Sequence, residues 1–263
     1  MERHMETSER PRIDLAEKVL PPALFKALVH VFSGGLPGTA LVGGTALSGF
    51  YAGHRRSDDL DLFVPDTASH DATWRAVHSL SGLGAGFSDE FHTARFAKLI
   101  CSMDGRSFTV DVVLDENLFR EGLFHTPGKN LRVAGLETIL RMKAATLVSR
   151  CGEKDLFDLL WLFERFPDMD YGKLLTEAQK IDGGATGEAI LMAVNSTVLR
   201  KEACGFGLRV EDSPENVFDH LNRFQREFLR GLSLHLHGQP APLMADLVRE
   251  IRKLSGRKSP KGN

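Results

Sequence analysis

The chain has 263 residues, enough for one large domain or two modest ones, each able to bury a workable core. With 42% hydrophobic and 26% charged residues it has the composition of a soluble globular protein, and its formal net charge of −2 excludes whole-molecule attraction to nucleic acid or an anionic membrane. Three widely spaced cysteines, Cys101, Cys151 and Cys204, argue against a disulfide framework or a cysteine-based zinc site.

The first stretch, MERHMETSERPRIDLAEKVL, is charged and has no apolar core of the signal-peptide kind. No apolar run approaches the roughly 18 residues of a membrane span, so a cytoplasmic protein with no membrane partner is expected. In PPALFKALVHVFSGG, Leu24, Phe25, Leu28, Val29 and Phe32 have helical spacing, with prolines at the start and a diglycine as the stop. TALVGG, residues 39–44, reads as a short buried strand entering a tight turn, and TALSGFYAG as a short helix closed by Gly53. DDLDLFVP then alternates acid and apolar residues as a strand ended by Pro65. SHDATWRAVHSLSG follows as a helix. FHTARFAKLICSMDGRSFTVDVVLD reads as two strands about the hairpin turn at Asp104 and Gly105.

From residue 135 onward the period is helical almost throughout, over 135–151, 153–166, roughly 170–182, 186–200, 213–232 and 241–254. The expected organisation is an α+β chain: a mixed sheet with helices over residues 1–130, then an α-helical bundle domain over 131–263. Arg252, Lys253, Arg257, Lys258 and Lys261 crowd into the last dozen positions, and the Lys/Gly/Ser/Pro stretch that follows the last helix makes a basic C-terminal tail expected to be disordered.

Chemistry concentrates in the first half. A strand period of two puts Asp59 and Asp61 on one face and Leu60 and Leu62 on the other. Two carboxylates this close repel unless a cation lies between them, and magnesium favours carboxylate oxygens. The plain alternative is a solvated acidic edge. Asp111 tips the balance, because it interrupts an apolar strand run of Val110, Val112 and Val113, where a carboxylate is costly unless paired or metal-bound. If the two strands are neighbours, three carboxylates could hold two magnesium ions roughly 3.5 to 4 Å apart around an attack at phosphorus. Gly43 and Gly44 open a helix where bare backbone can approach a phosphate, and Thr45 adds a hydroxyl. GTALVGGT misses the P-loop pattern only at its lysine, where Gly44 stands, and that lysine is indispensable. Arg55 and Arg56 could clamp a β or γ phosphate or pair with the protein's own acids. His235 and His237 read as a core or surface pair with no further ligand nearby.

A strand, a diglycine turn, a short helix, a strand with Asp-x-Asp and a later strand with a third Asp resemble the DNA polymerase β-like nucleotidyltransferase superfamily. The segments Gly43-Gly44-Thr45-Ala46-Leu47 and His54-Arg55-Arg56-Ser57-Asp58-Asp59-Leu60-Asp61-Leu62-Phe63 resemble, in particular, the AbiEii/AbiGii toxin family. The resemblance continues into residues 136–162, with Lys143, Arg150, Lys154, Asp155 and Asp158, where Lys154 stands in place of an arginine. It implies that Lys143 contacts the nucleoside triphosphate and that Asp155 and Asp158 belong to the nucleotide site. By spacing alone, the Lys154–Asp158 pair and the position of Asp155 near a helix start have a structural account as well. The resemblance further implies transfer of a nucleoside monophosphate from an NTP to an acceptor, which is tRNA, another RNA end or a protein. It implies a bacterial toxin acting with a separately encoded antitoxin. A small-molecule nucleotidyltransferase and a catalytically silent nucleotide- or partner-binding module are the alternatives.

Overall fold

The computed structural model describes residues 9–255. Of these, 9–139 form one compact unit and 140–255 another.

The first unit is built on a mixed seven-stranded sheet, in the order β3-β4-β5-β2-β1-β7-β6. The strands are β1 (Ala40–Leu41), β2 (Asp59–Val64), β3 (Gly86–His92), β4 (Phe96–Met103), β5 (Arg106–Leu114), β6 (Phe124–His125) and β7 (Val133–Ala134). Its helices are α1 (Ile13–Val19), α2 (Pro22–Ser33), α3 (Gly43–Leu47), α4 (Thr67–His78) and α5 (Glu116–Glu121), and α6 (Leu136–Ser149) begins in this unit. The acid and apolar alternation of 59–64 and 106–114 forms strands because one face can be buried. Leu60, Leu62, Val64, Val110 and Val112 are all 0% exposed, each contributing about 1.5–3 kcal/mol of burial. Helices α2 and α4 pack on each other and on β2, and α4 also packs on β5. Asp66 caps α4 by accepting from the Ser69 amide at 2.7 Å. Pro21 precedes α2, and Pro22 opens it, where the missing N–H costs no intrahelical bond.

Strand β3 is where the structure adds an element to the sequence reading, which has two strands in this region against three observed. GFSDEFH offers no apolar alternation, and it is an exposed edge strand whose order comes from pairing with β4. The Asp104-Gly105 turn joins β4 to β5, with both residues at positive φ, 51° and 74°.

The second unit continues α6 and adds α7 (Glu153–Phe163), α8 (Tyr171–Gln179), α9 (Gly187–Ser196), α10 (Pro214–Leu236) and α11 (Met244–Ser255). Helix α10 packs on α7, α8, α9 and α11. Its apolar stripe of Val217, Leu221, Phe224, Phe228 and Leu232 is buried, with Phe224 6.1 Å from Phe163 and Phe228 5.5 Å from Tyr171, ring centre to ring centre. Gly231 permits the Tyr171 contact, since a Cβ there would overlap the phenol. The His235 ring stacks on Tyr171, and the His237 Nδ1 lies 2.7 Å from the Ser233 carbonyl oxygen. Arg252 pairs with Glu164 at 2.9 Å, whereas Arg257, Lys258 and Lys261 lie outside the described residues.

Candidate active site

Strands β2 and β5 are parallel neighbours, in a register that sets Asp61 directly opposite Asp111 and Asp59 opposite Thr109. Paired residues on adjacent strands share a face, so Asp59, Asp61 and Asp111 stand together, opposite the buried valines and leucines. All three are partly exposed, which suits groups that must exchange a ligand with solvent. Strand β4 adds a residue to this face that sequence reasoning missed. Lys98 lies opposite Asp111 in the β4–β5 register, and its Nζ is 3.4 Å from Asp111 Oδ1. The signal for it was the alternation of Phe96, Lys98 and Ile100, which turns the lysine toward the acid face once β4 and β5 are paired.

The diglycine packs against the same carboxylates. The Val42 amide donates to the Asp61 carbonyl at 3.0 Å, holding the turn to β2. Gly43 has φ +68°, and a Cβ on it would overlap Asp61 Oδ2 and come within 2.9 Å of Asp61 Cγ. Only glycine leaves this space beside the carboxylate. A Cβ on Gly44 would overlap the Arg55 guanidinium and lie 3.2 Å from Ser57 Oγ. Amides at the start of α3 have no partner within their own helix.

Thr45, Arg55 and Arg56 are placed differently along this loop. The Thr45 hydroxyl is fully buried, donates to the Asp59 carbonyl and lies 2.9 Å from Ser57 Oγ. It ties α3 to the start of β2. The two arginines differ as well. Arg55 is buried at 2% exposure, with Nη1 donating to the Arg56 carbonyl at 2.8 Å and its own carbonyl accepting from Ser48 Oγ. Arg56 is exposed.

Lys143, Asp155 and Asp158 come together in the second unit. The Lys143 Nζ is 2.8 Å from Asp155 Oδ1 and 2.7 Å from Asp158 Oδ2, with side-chain exposures of 6%, 7% and 0%. Arg150 approaches Asp155 Oδ2 at 3.6 Å, from an exposed position. Asp155 also accepts from the Gly152 amide at 3.4 Å, closing the first turn of α7. The lysine beside an apolar stripe therefore has anionic partners within the protein, and these two carboxylates compensate its burial. Lys154 is exposed, and it is Lys143 that pairs with Asp158.

The mixed sheet thus carries three carboxylates on adjoining strands, beside a glycine turn. A family model described as Nucleotidyl transferase AbiEii toxin, Type IV TA system matches residues 26–234, and the chain belongs to that family. It is thus the nucleotidyltransferase of a toxin–antitoxin system. No curated protein matched the sequence. Solved structures similar to the chain include a protein from H. pylori described as a nucleotidyltransferase, at 18% identity and TM-score 0.45, covering 84% of this chain and 97% of that one. JHP933 from Helicobacter pylori aligns at 18% identity and TM-score 0.43, with 82% and 94% covered. The nucleotidyltransferase toxin MenT4 from Mycobacterium tuberculosis aligns at 16% identity and TM-score 0.41, with 88% and 89% covered. Among the described residues no helix is long and apolar enough to cross a membrane.

Proposed function

We propose that this toxin transfers a nucleoside monophosphate from an NTP to an acceptor hydroxyl on RNA, such as a tRNA end, or on a protein, with magnesium as its metal. The observation that carries the reading is the register that sets Asp61 against Asp111, with Asp59 two residues along the same face. The donor set fits the ion: three carboxylates supply hard oxygen ligands, and the glycine at 43 keeps the space beside Asp61 free of a side chain. Asp59 and Asp61 would hold the metal that grips the triphosphate, and Asp111 would complete a second metal position. Bound magnesium supplies Lewis-acid stabilisation of charge on the phosphates.

The chain's own groups account for the rest of the step. The acceptor oxygen attacks the α-phosphorus and a new P–O bond forms. The bond from that phosphorus to the bridging oxygen breaks, and pyrophosphate leaves with the electron pair. Asp111 takes the hydroxyl proton. Backbone amides at Gly43 and Gly44 and the exposed Arg56 orient the phosphates. Lys98 offsets part of the repulsion among the carboxylates, and Thr45 and Arg55 hold the loop from within. Lys143, Asp155 and Asp158 act as a buried ionic brace of the helical unit. Positioning and electrostatics carry most of the rate, as in phosphoryl transfer generally.

The test is incubation with each labelled nucleotide, magnesium, and total RNA or lysate, beside an Asp59→Ala/Asp61→Ala control. Label on RNA or protein that disappears with the double variant supports the reading; no label and no triphosphate binding sinks it.

A further inference from the structure

Helix α4 covers the sheet with a polar stripe. Its buried positions are His70, Thr73 and Val77, so a histidine stands where a covering helix ordinarily places an apolar side chain. Thr73 is satisfied by Thr39 Oγ1 at 2.6 Å and the Ser69 carbonyl at 2.7 Å. His70 is not. Its ring is 0% exposed, and neither nitrogen makes a well-formed hydrogen bond. Burial holds its pKa below the ordinary histidine value, with the nearby Val112 carbonyl pulling the other way. A buried polar ring left in this condition is destabilising unless something engages it.

A second, independent feature lies on β3. Ser88 pairs with Ile100, but the next pairs are Phe91 with Lys98 and His92 with Ala97. Three residues of β3 thus advance against two of β4, a bulge at which Asp89 adopts φ 49°. An unbroken register would set Phe91 opposite Ala97, on the α4 face. The bulge reverses the parity, turning His92 to that face and leaving Phe91 55% exposed. The result is an imidazole brought up to His70, with ring centres 5.4 Å apart. Trp74, one turn along α4, stacks on His92 at 5.2 Å and 24°. Asp71 completes the group: one ligand atom from each of His70, Asp71 and His92 lies within 4.8 Å of the others.

We propose that His70, Asp71 and His92 form a site for a borderline transition-metal dication of the zinc class, on the sheet face opposite the three carboxylates. Two imidazoles and one carboxylate select zinc-like ions over magnesium, and leave a fourth position for water or an outside ligand. Ligands around tetrahedral zinc lie roughly 3.3 Å apart, so the exposed Asp71 and His92 side chains would close in on binding from the 4.8 Å within which the three ligand atoms now lie. The ion would tie the edge strand to the helix that covers the sheet.

Binding of zinc alone tests this, with no activity readout, so its outcome is independent of the transferase reading. The full chain, stripped by chelator, is titrated with Zn2+ in excess Mg2+ by calorimetry. One equivalent should bind, and His92→Ala and Asp71→Asn, both at exposed positions, should weaken it by at least ~10-fold. Asp59→Ala/Asp61→Ala should leave it unchanged. Absence of saturable binding, or equal binding by His92→Ala, overturns the proposal. So does binding that is lost in the Asp59/Asp61 double variant and kept in His92→Ala.

Discussion

Asp61 and Asp111 face each other across two parallel strands, one pair in a register that runs unbroken from Asp59↔Thr109 to Val64↔Leu114. Neither residue can leave this arrangement without carrying its strand along. Replacing either by asparagine keeps shape and removes charge, so the fold should survive. Transfer should fall by ~10²–10⁴-fold, the scale of a lost charge or proton-transfer group at a reacting centre. Initial rates of nucleotide transfer beside unfolding curves check this; near wild-type rates for Asp111→Asn would remove it from the site.

Gly43→Ala should damage function more than stability. The new methyl would meet the Asp61 carboxylate at a positive-φ position, a strain of order 1–3 kcal/mol. Denaturant midpoints and transfer rates measured together distinguish the two effects. A variant that keeps full activity would show that the carboxylate can move aside.

Lys98→Ala should lower the magnesium concentration needed for half-maximal activity. The lysine competes with the cation for Asp111, but its side chain is 45% exposed, and such a pair contributes no more than about 1 kcal/mol. The shift should therefore stay within ~5-fold, and shrink as ionic strength rises. An increase in the magnesium requirement would contradict the role given to Lys98.

Asp158→Ala should cost the protein about 3–5 kcal/mol, because it removes one partner from a buried ion cluster and leaves Lys143 with less compensation. Urea unfolding followed by circular dichroism reads the change. A loss below ~1 kcal/mol would mean that the lysine reaches solvent or another anion when Asp158 is absent.

Acidification from about pH 7.5 to 5.5 should destabilise the fold. Burial lowers the pKa of His70, His125 and His220, with neighbouring Arg10 adding to the shift at His125 and Arg223 at His220. A histidine whose folded pKa lies below its unfolded value near 6.5 binds more protons when unfolded, so stability is complete above that value and declines as pH falls through it. Thermal midpoints at stepped pH check the sign; a flat or rising midpoint on acidification would contradict it.

Much of the element order is legible from the chain alone. Period-two runs at 59–64 and 106–114, helical periods from 135 onward, and the glycines at 43, 53 and 105 each report on a few consecutive residues, and local physics suffices for them. The same holds for Asp59 and Asp61 sharing a face. Other features depend on which segments meet. Strand β3 is invisible to periodicity because its ladder with β4, rather than its own composition, holds it extended. That β5 lies beside β2 in parallel, that β4 then delivers Lys98, that the Thr45 hydroxyl turns inward, and that Lys143 finds Asp155 and Asp158 are all decided by tertiary pairing. A side chain's face follows from its own strand or helix, but its partner is chosen by elements distant in sequence, and only the packed sheet and helices make that choice.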